Sequence, residues 1–145
     1  MIVKNEQPPK HVWDSVTAAF KVPEKVFFTY GDIIYVVGDA KLTPDTIRHE
    51  ETHRDQQAHI EGGPDEWWHR FVVDKEFRLD QESEAYAAQY RFLCQNNKDK
   101  NKQFAYLRAL GTMLSSPIYG SMISKGEAMN LIRQLSTLDK VRGDE

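Results

Sequence analysis

Thr43-Pro44-Asp45-Thr46-Ile47-Arg48-His49-Glu50-Glu51-Thr52-His53 opens a helix and sets two imidazoles on one side of it. A hydroxyl side chain at the cap, a proline at the first helical position and an acid in the first turn are the features that start an α-helix. Gly62-Gly63-Pro64 ends it, so the predicted helix runs to about Ile60. At about 100° per residue, His49 and His53 differ in direction by only about 40°, and both can reach one metal ion. Glu50 lies about 100° from His49, where a carboxylate flanks that ion without binding it and can take a proton from a water polarised by the metal. This spacing and donor type point to zinc as the cofactor. Gln56 and Ile60 share the histidine sector, whereas Arg48, Glu51 and Asp55 fall opposite. The inward stripe is therefore polar, gains little from hydrophobic burial and needs hydrogen-bonding partners.

Upstream of this helix, Val26-Phe27-Phe28-Thr29-Tyr30 and Ile33-Ile34-Tyr35-Val36-Val37 flank Gly31-Asp32, the signature of a β-hairpin. Val12, Val16, Ala19 and Phe20 repeat at helical spacing and predict a first short helix, preceded by an extended arm over residues 1–10 that carries Pro8 and Pro9. Downstream, Asp65 is positioned to cap a short helix through Trp67, Trp68 and Phe71, and a longer helix is expected over about Phe77 to Gln95. After the polar break at Asn96 to Asn101, a helix through Phe104, Leu107, Leu110 and Leu114 ends near Ser115-Ser116-Pro117. Ser124-Lys125-Gly126-Glu127 reads as a capping box for the last helix, and the charged tail from Lys140 to Glu145 is expected to fray. The fold class that follows is α+β, mainly α. A small antiparallel hairpin sheet packs on the histidine helix, with three or four further helices, in one domain over 1–145.

The 145 residues, 40% of them hydrophobic, support one core and not two. The net charge of −3, from 22 acidic and 19 basic side chains mixed along the chain, gives no broad basic surface, so nucleic acid is not an expected partner. Cys94 is the single cysteine and suits a reducing compartment. No stretch has the length and apolarity of a membrane span, and the first ten residues lack the apolar run of a signal peptide. The expectation is a soluble protein kept in a cytoplasm, with oligomeric state open.

A catalytic zinc commonly takes three protein ligands and leaves a fourth position for water. Three residues compete for the third place. His59 follows His53 by six positions but has Gln56, not glycine, before it, and it points away if the helix continues. Glu82 and Glu84 differ by about 200° on the later helix, so at most one faces inward. Ala85, Tyr86, Gln89 and Leu93 cluster around the direction of Glu82, and Glu84 shares its side with Arg91, which favours Glu82.

His49 to His53 with Gln56-Gln57, followed by Glu82-Ser83-Glu84-Ala85, resembles the small gluzincin metallopeptidases over about the middle third of the chain. The resemblance implies a zincin-like fold, a third zinc ligand from the Glu-x-x-Ala helix, and a peptide or protein substrate bound as an added strand, here along Asp32 to Val37. The whole layout, including Ser115-Ser116-Pro117-Ile118-Tyr119-Gly120, also resembles uncharacterised proteins of tailed phages and prophages, which implies a host cytoplasm. The larger peptidases add a Tyr, His or Arg to stabilise the oxyanion. Tyr119 is the candidate here, because a phenol can donate to a developing oxyanion; His11 and His69 are alternatives. Trp67 and Trp68 read as core and rim. Peptide hydrolysis with Glu50 as general base is the leading expectation. The others are a non-enzymatic virion-associated protein stapled by zinc, and a helical binding module without metal.

Overall fold

Local chemistry accounts for most of the element boundaries. A computed structural model describes the backbone of residues 1–143 and the side chains of residues 1–137. Strand β1 (Ile2–Lys4) and helix α1 (Lys10–Ala19) precede the hairpin of β2 (Val26–Tyr30) and β3 (Ile33–Val37). Five helices follow: α2 (Pro44–His59), α3 (Gly63–Val73), α4 (Lys75–Asn96), α5 (Lys100–Leu114) and α6 (Lys125–Gly143), with a 3-10 turn at Pro117–Tyr119 between the last two. The chain is mainly helical with a small sheet, and the histidine helix has five companions among the described residues where three or four were expected.

The sheet has a third strand that the hairpin reading did not include. Its order is β1-β3-β2, with β1 parallel to β3 (Ile2↔Ile33) and β2 antiparallel to it (Phe28↔Tyr35). The extended arm is therefore partly strand, tied in by the Ile2 N–H donating to the Asp32 carbonyl at 2.9 Å. That pairing bears on the expected substrate edge, Asp32 to Val37: Ile33–Tyr35 of β3 are paired on both sides, Val36 and Val37 have no β1 partner, and the strand beside α2 is β2.

Asp65 does not cap α3, whose cap is Gly62 at φ 94, with Gly63 and Pro64 taking up the first turn. Asp65 instead accepts the Tyr30 hydroxyl and meets His11 Nε2, each at 2.7 Å. Ser124 and Glu127 form the reciprocal box at the head of α6, each backbone N–H donating to the other's side chain at 3.2 Å. Helix α6 is assigned through Gly143, and residues 144 and 145 of the expected frayed tail lie outside the described residues.

Apolar burial is divided. Val12, Val16, Phe28, Tyr35, Trp67, Trp68 and Phe71 form one cluster under the sheet. Tyr86, Leu107, Leu110, Leu114, Met122, Ala128 and Ile132 form another among α4, α5 and α6. Tyr119 packs against both. Between them α2 lies on α4, and the buried residues of α2 are all polar: His49, Glu50, His53 and Gln57.

Candidate metal centre

Helix α2 keeps its turn past His53 to His59, so His49 and His53 project together toward α4. Glu82 comes from the facing side of α4, and His49, Glu50, His53 and Glu82 are each 7% exposed or less. The ligand-type atoms of His49, Glu50 and His53 all lie within 4.8 Å of one another, a buried group that can hold a metal ion. Glu82 closes on the same point. Its carboxylate is 2.6 Å from His53 Nε2 and 3.6 Å from His49 Nε2, whereas Glu50 stands 3.9 Å from His49 Nε2.

Two glutamines decide which imidazole nitrogens face this point. Gln89 donates its amide to Asp45 at 2.8 Å, which leaves its carbonyl oxygen on His49 Nδ1 at 3.0 Å. Gln56 donates to the Gln81 carbonyl at 3.0 Å and to Glu84 at 3.2 Å, which leaves its oxygen on His53 Nδ1 at 2.8 Å. An amide oxygen only accepts, so each Nδ1 carries a hydrogen and each Nε2, when neutral, presents a lone pair. Those two Nε2 atoms are 3.2 Å apart, with the Glu82 oxygen beside them. Lone pairs and a carboxylate at such separations repel unless a positive charge lies among them. A proton on His53 or a metal ion meets that requirement, and the donor set fits a metal.

The proton affinities carry the same imprint. Burial opposes charge on His53, but the Glu82 carboxylate overrides it and raises the imidazole to about 9. Burial likewise pushes the Glu82 carboxyl up, and His53 and His49 together pull it well below the ordinary carboxylate value. Glu50 behaves differently: burial dominates and its carboxyl is raised, with the two imidazoles opposing. Its carbonyl accepts from Thr29 Oγ1 at 3.5 Å, which keeps β2 against α2.

Tyr119 is brought to the same cavity by the 3-10 turn, and its hydroxyl is 2.8 Å from that of Tyr86. Burial first, and then the Glu82 charge, keeps the Tyr119 phenol protonated well above its ordinary 10.0. Arg78, one turn before Glu82 on α4, holds that turn by donating from Nε to the Tyr119 carbonyl at 3.1 Å. Gly120, at φ 88, follows it, and a Cβ there would sit 3.3 Å from the Arg78 guanidinium.

The other residues singled out lie elsewhere. His59 is exposed and turned to its own helix, its Nδ1 2.7 Å from the Asp55 carbonyl. Glu84 is exposed and accepts from Gln56. His11 is paired with Asp65, and His69 is exposed. Trp67 and Trp68 are buried at 1% and 8% exposure, and the Trp67 ring packs 5.0 Å from that of His53. Sequence reading gave Asp45 only its place in the first turn of α2, and it passed over Arg78 and the contact of Tyr86, whose ring lies 4.5 Å from His49. Arg78 and Tyr86 flank Glu82 at one-turn spacing, a signal that was available.

No family model, curated protein or solved structure matches the chain, so its chemistry rests on these residues alone.

Proposed function

We propose that the protein hydrolyses a peptide bond with zinc held by His49, His53 and Glu82, in the manner of the small gluzincins that the His-Glu-x-x-His stretch resembles. The observation that carries this reading is the convergence of two Nε2 atoms and one buried carboxylate, with each Nδ1 fixed by a glutamine oxygen. Two neutral imidazoles and one anionic oxygen are a known catalytic zinc set, and zinc bound there supplies Lewis acidity toward a carbonyl and toward water. Glu82 is the ligand because it faces the gap between both imidazoles. Glu50 is the base: it stands to one side, and burial raises the proton affinity of its carboxylate, which suits a proton acceptor. It takes the proton of the attacking water and delivers it to the departing nitrogen. Tyr119, a neutral phenol, donates to the oxyanion.

The substrate strand lies along β2. In a two-residue hairpin closed by Tyr30 and Ile33, the backbone groups of Thr29 and Phe27 point to the free side. The Thr29 carbonyl already accepts from Gln57 and Trp68, which leaves Phe27 to pair with an extended peptide. With so short an edge, one partner protein is a better substrate than peptides at large.

Glu50→Gln tests this reading. Zinc content and melting temperature should stay as in the parent chain while cleavage falls by several orders of magnitude, because the amide keeps the shape and cannot accept the proton. Loss of zinc in that variant would reverse the roles of Glu50 and Glu82. The deep burial of His49, His53 and Glu82 favours a second reading, a zinc staple in a non-enzymatic, virion-associated protein. A parent chain that binds zinc stoichiometrically and whose zinc takes no exogenous ligand, tested with acetohydroxamate, would select it.

A further inference from the structure

Arg78 is 6% exposed and carries a charge that burial disfavours. A buried guanidinium is ordinarily met by a carboxylate. Here Asp74 and Glu82 act on it through charge, and its N–H groups donate to backbone carbonyls instead. Two of these, on Phe71 and Val72 at 2.7 and 3.5 Å, belong to the last turn of α3. The third, on Tyr119 at 3.1 Å, belongs to the 3-10 turn. The ring of Phe20, 4.8 Å from the guanidinium carbon, covers the group. We propose, resting on the peptidase reading, that Arg78 is the positioning residue of the oxyanion donor: its grip on the Tyr119 carbonyl holds the Tyr119 hydroxyl at the metal cluster.

Three observations support this role. The backbone N–H groups of the turn close on the turn itself: Ile118 donates to the Ser116 hydroxyl, Tyr119 to the Ser116 carbonyl and Gly120 to the Pro117 carbonyl. Among the described residues, the hydrogen bonds that tie Pro117–Gly120 to another element are made by Tyr119, through its carbonyl to Arg78 and its hydroxyl to Tyr86. The two grips are placed around the metal ligand. Arg78, Glu82 and Tyr86 follow one another at one-turn spacing on one side of α4, so a tyrosine held by the first and the last crosses the middle one, whose charge acts on its phenol. Finally, the chain leaves room for the guanidinium directly after the tyrosine, because Gly120 has φ 88 and a Cβ there would stand 3.3 Å from Arg78. A single-donor side chain could tie the turn to α4 without burying a charge. The rigid, several-pronged fork of arginine can hold the end of α3 and the turn at once, and so fixes Tyr119 against both.

The test uses the full chain loaded with zinc and acetohydroxamate, a small zinc ligand whose carbonyl oxygen stands in for the oxyanion. Tyr119→Phe should weaken its binding about tenfold, the loss of one hydrogen bond to a charged oxygen. Arg78→Lys keeps the charge but cannot span the three carbonyls. It should weaken acetohydroxamate by about the same factor, hold zinc within about threefold of the parent, and add nothing in the double variant with Tyr119→Phe. A second readout needs no metal. With tyrosine isotope-labelled at the ring carbon that bears the hydroxyl, the magnetic resonance signal of Tyr119, identified by its loss in Tyr119→Phe, should move toward that of an exposed tyrosine in Arg78→Lys. Gly120→Ala presses on the guanidinium from the turn and leaves α4 unaltered, so it should move the same signal even if Arg78→Lys does not fold. Losses that add in the double variant, or a Tyr119 signal that stays in place, overturn the assignment alone. Unchanged binding in Tyr119→Phe removes Tyr119 as the donor and overturns the assignment while leaving the zinc ligands standing. A parent chain that holds no zinc, or whose zinc refuses acetohydroxamate, overturns the peptidase reading and the assignment with it.

Discussion

At the scale of single residues, the glutamines are as informative as the histidines. A histidine that binds metal through Nε2 is oriented by whatever accepts its Nδ1 hydrogen, and here Gln89 and Gln56 do so from different helices. Gln89→Leu should weaken zinc binding by roughly 10- to 100-fold with the helical content unchanged, as measured by competition with a chromophoric chelator. In the same assay Glu82→Gln should cost about an order of magnitude or more, and Glu84→Gln should change little because its carboxylate is exposed and accepts from Gln56. A larger loss from Glu84 than from Glu82 would mean that the site relies on its outer glutamine and not on the buried carboxylate. The contrast between these acids was legible beforehand. Two residues along a helix point to nearly opposite sides, so the neighbours Ala85, Tyr86 and Gln89 were enough to orient Glu82 inward. The hydroxyl contact between Tyr86 and Tyr119 was not, because it joins α4 to a turn 33 residues on and no periodicity spans that separation.

At the scale of elements, one side chain ties α2 to the hairpin at two points. Gln57, 1% exposed, donates to the Thr29 carbonyl and accepts from the Gly31 N–H, each at 2.8 Å. Gln57→Ala removes both bonds and leaves the Gly31 N–H without its partner, so it should destabilise the chain by about 1–3 kcal/mol in urea unfolding. An unchanged midpoint would show that water substitutes freely at that contact. Elements whose ends are written in local chemistry were readable from sequence: the Gly31-Asp32 turn, the Thr43-Pro44 start of α2, and the Ser124 and Glu127 box. Strand β1 was not. Ile2 and Val3 remain 55% and 47% exposed, so they carry no burial pattern, and their pairing with Ile33 and Ile34 is set by tertiary proximity. The Gly62 start of α3 was misread for a related reason: Asp65 has cap chemistry, but Tyr30 and His11 claim it from other elements.

At the scale of the whole molecule, the charge among His49, His53 and Glu82 links stability to pH and to metal. Without metal, His53 is raised from the ordinary 6.5 to about 9, so its contribution is complete below 6.5 and disappears as the pH climbs through 9. Glu82, held below 4.5, contributes above that value and loses its share on acidification, whereas Glu50, raised above it, loses its share as the pH rises. The melting temperature of the metal-free chain should therefore fall between pH 6.5 and about 9. With zinc present the ion replaces the His53 proton, the fall should vanish, and free metal at 100 times its dissociation constant adds roughly 2.7 kcal/mol. Melts in chelator and in zinc that share one pH slope would sink this account. Among the described residues no helix is long and apolar enough to cross a membrane. The all-polar buried side of α2 also governs the order of events in time. The two apolar clusters can collapse as soon as their chains meet, but the contacts of His49, His53 and Gln57 stabilise nothing until every partner is in register. Helix α2 should therefore be the last segment to dock and the first to open, and in hydrogen-exchange experiments its amides should be the ones that zinc slows most.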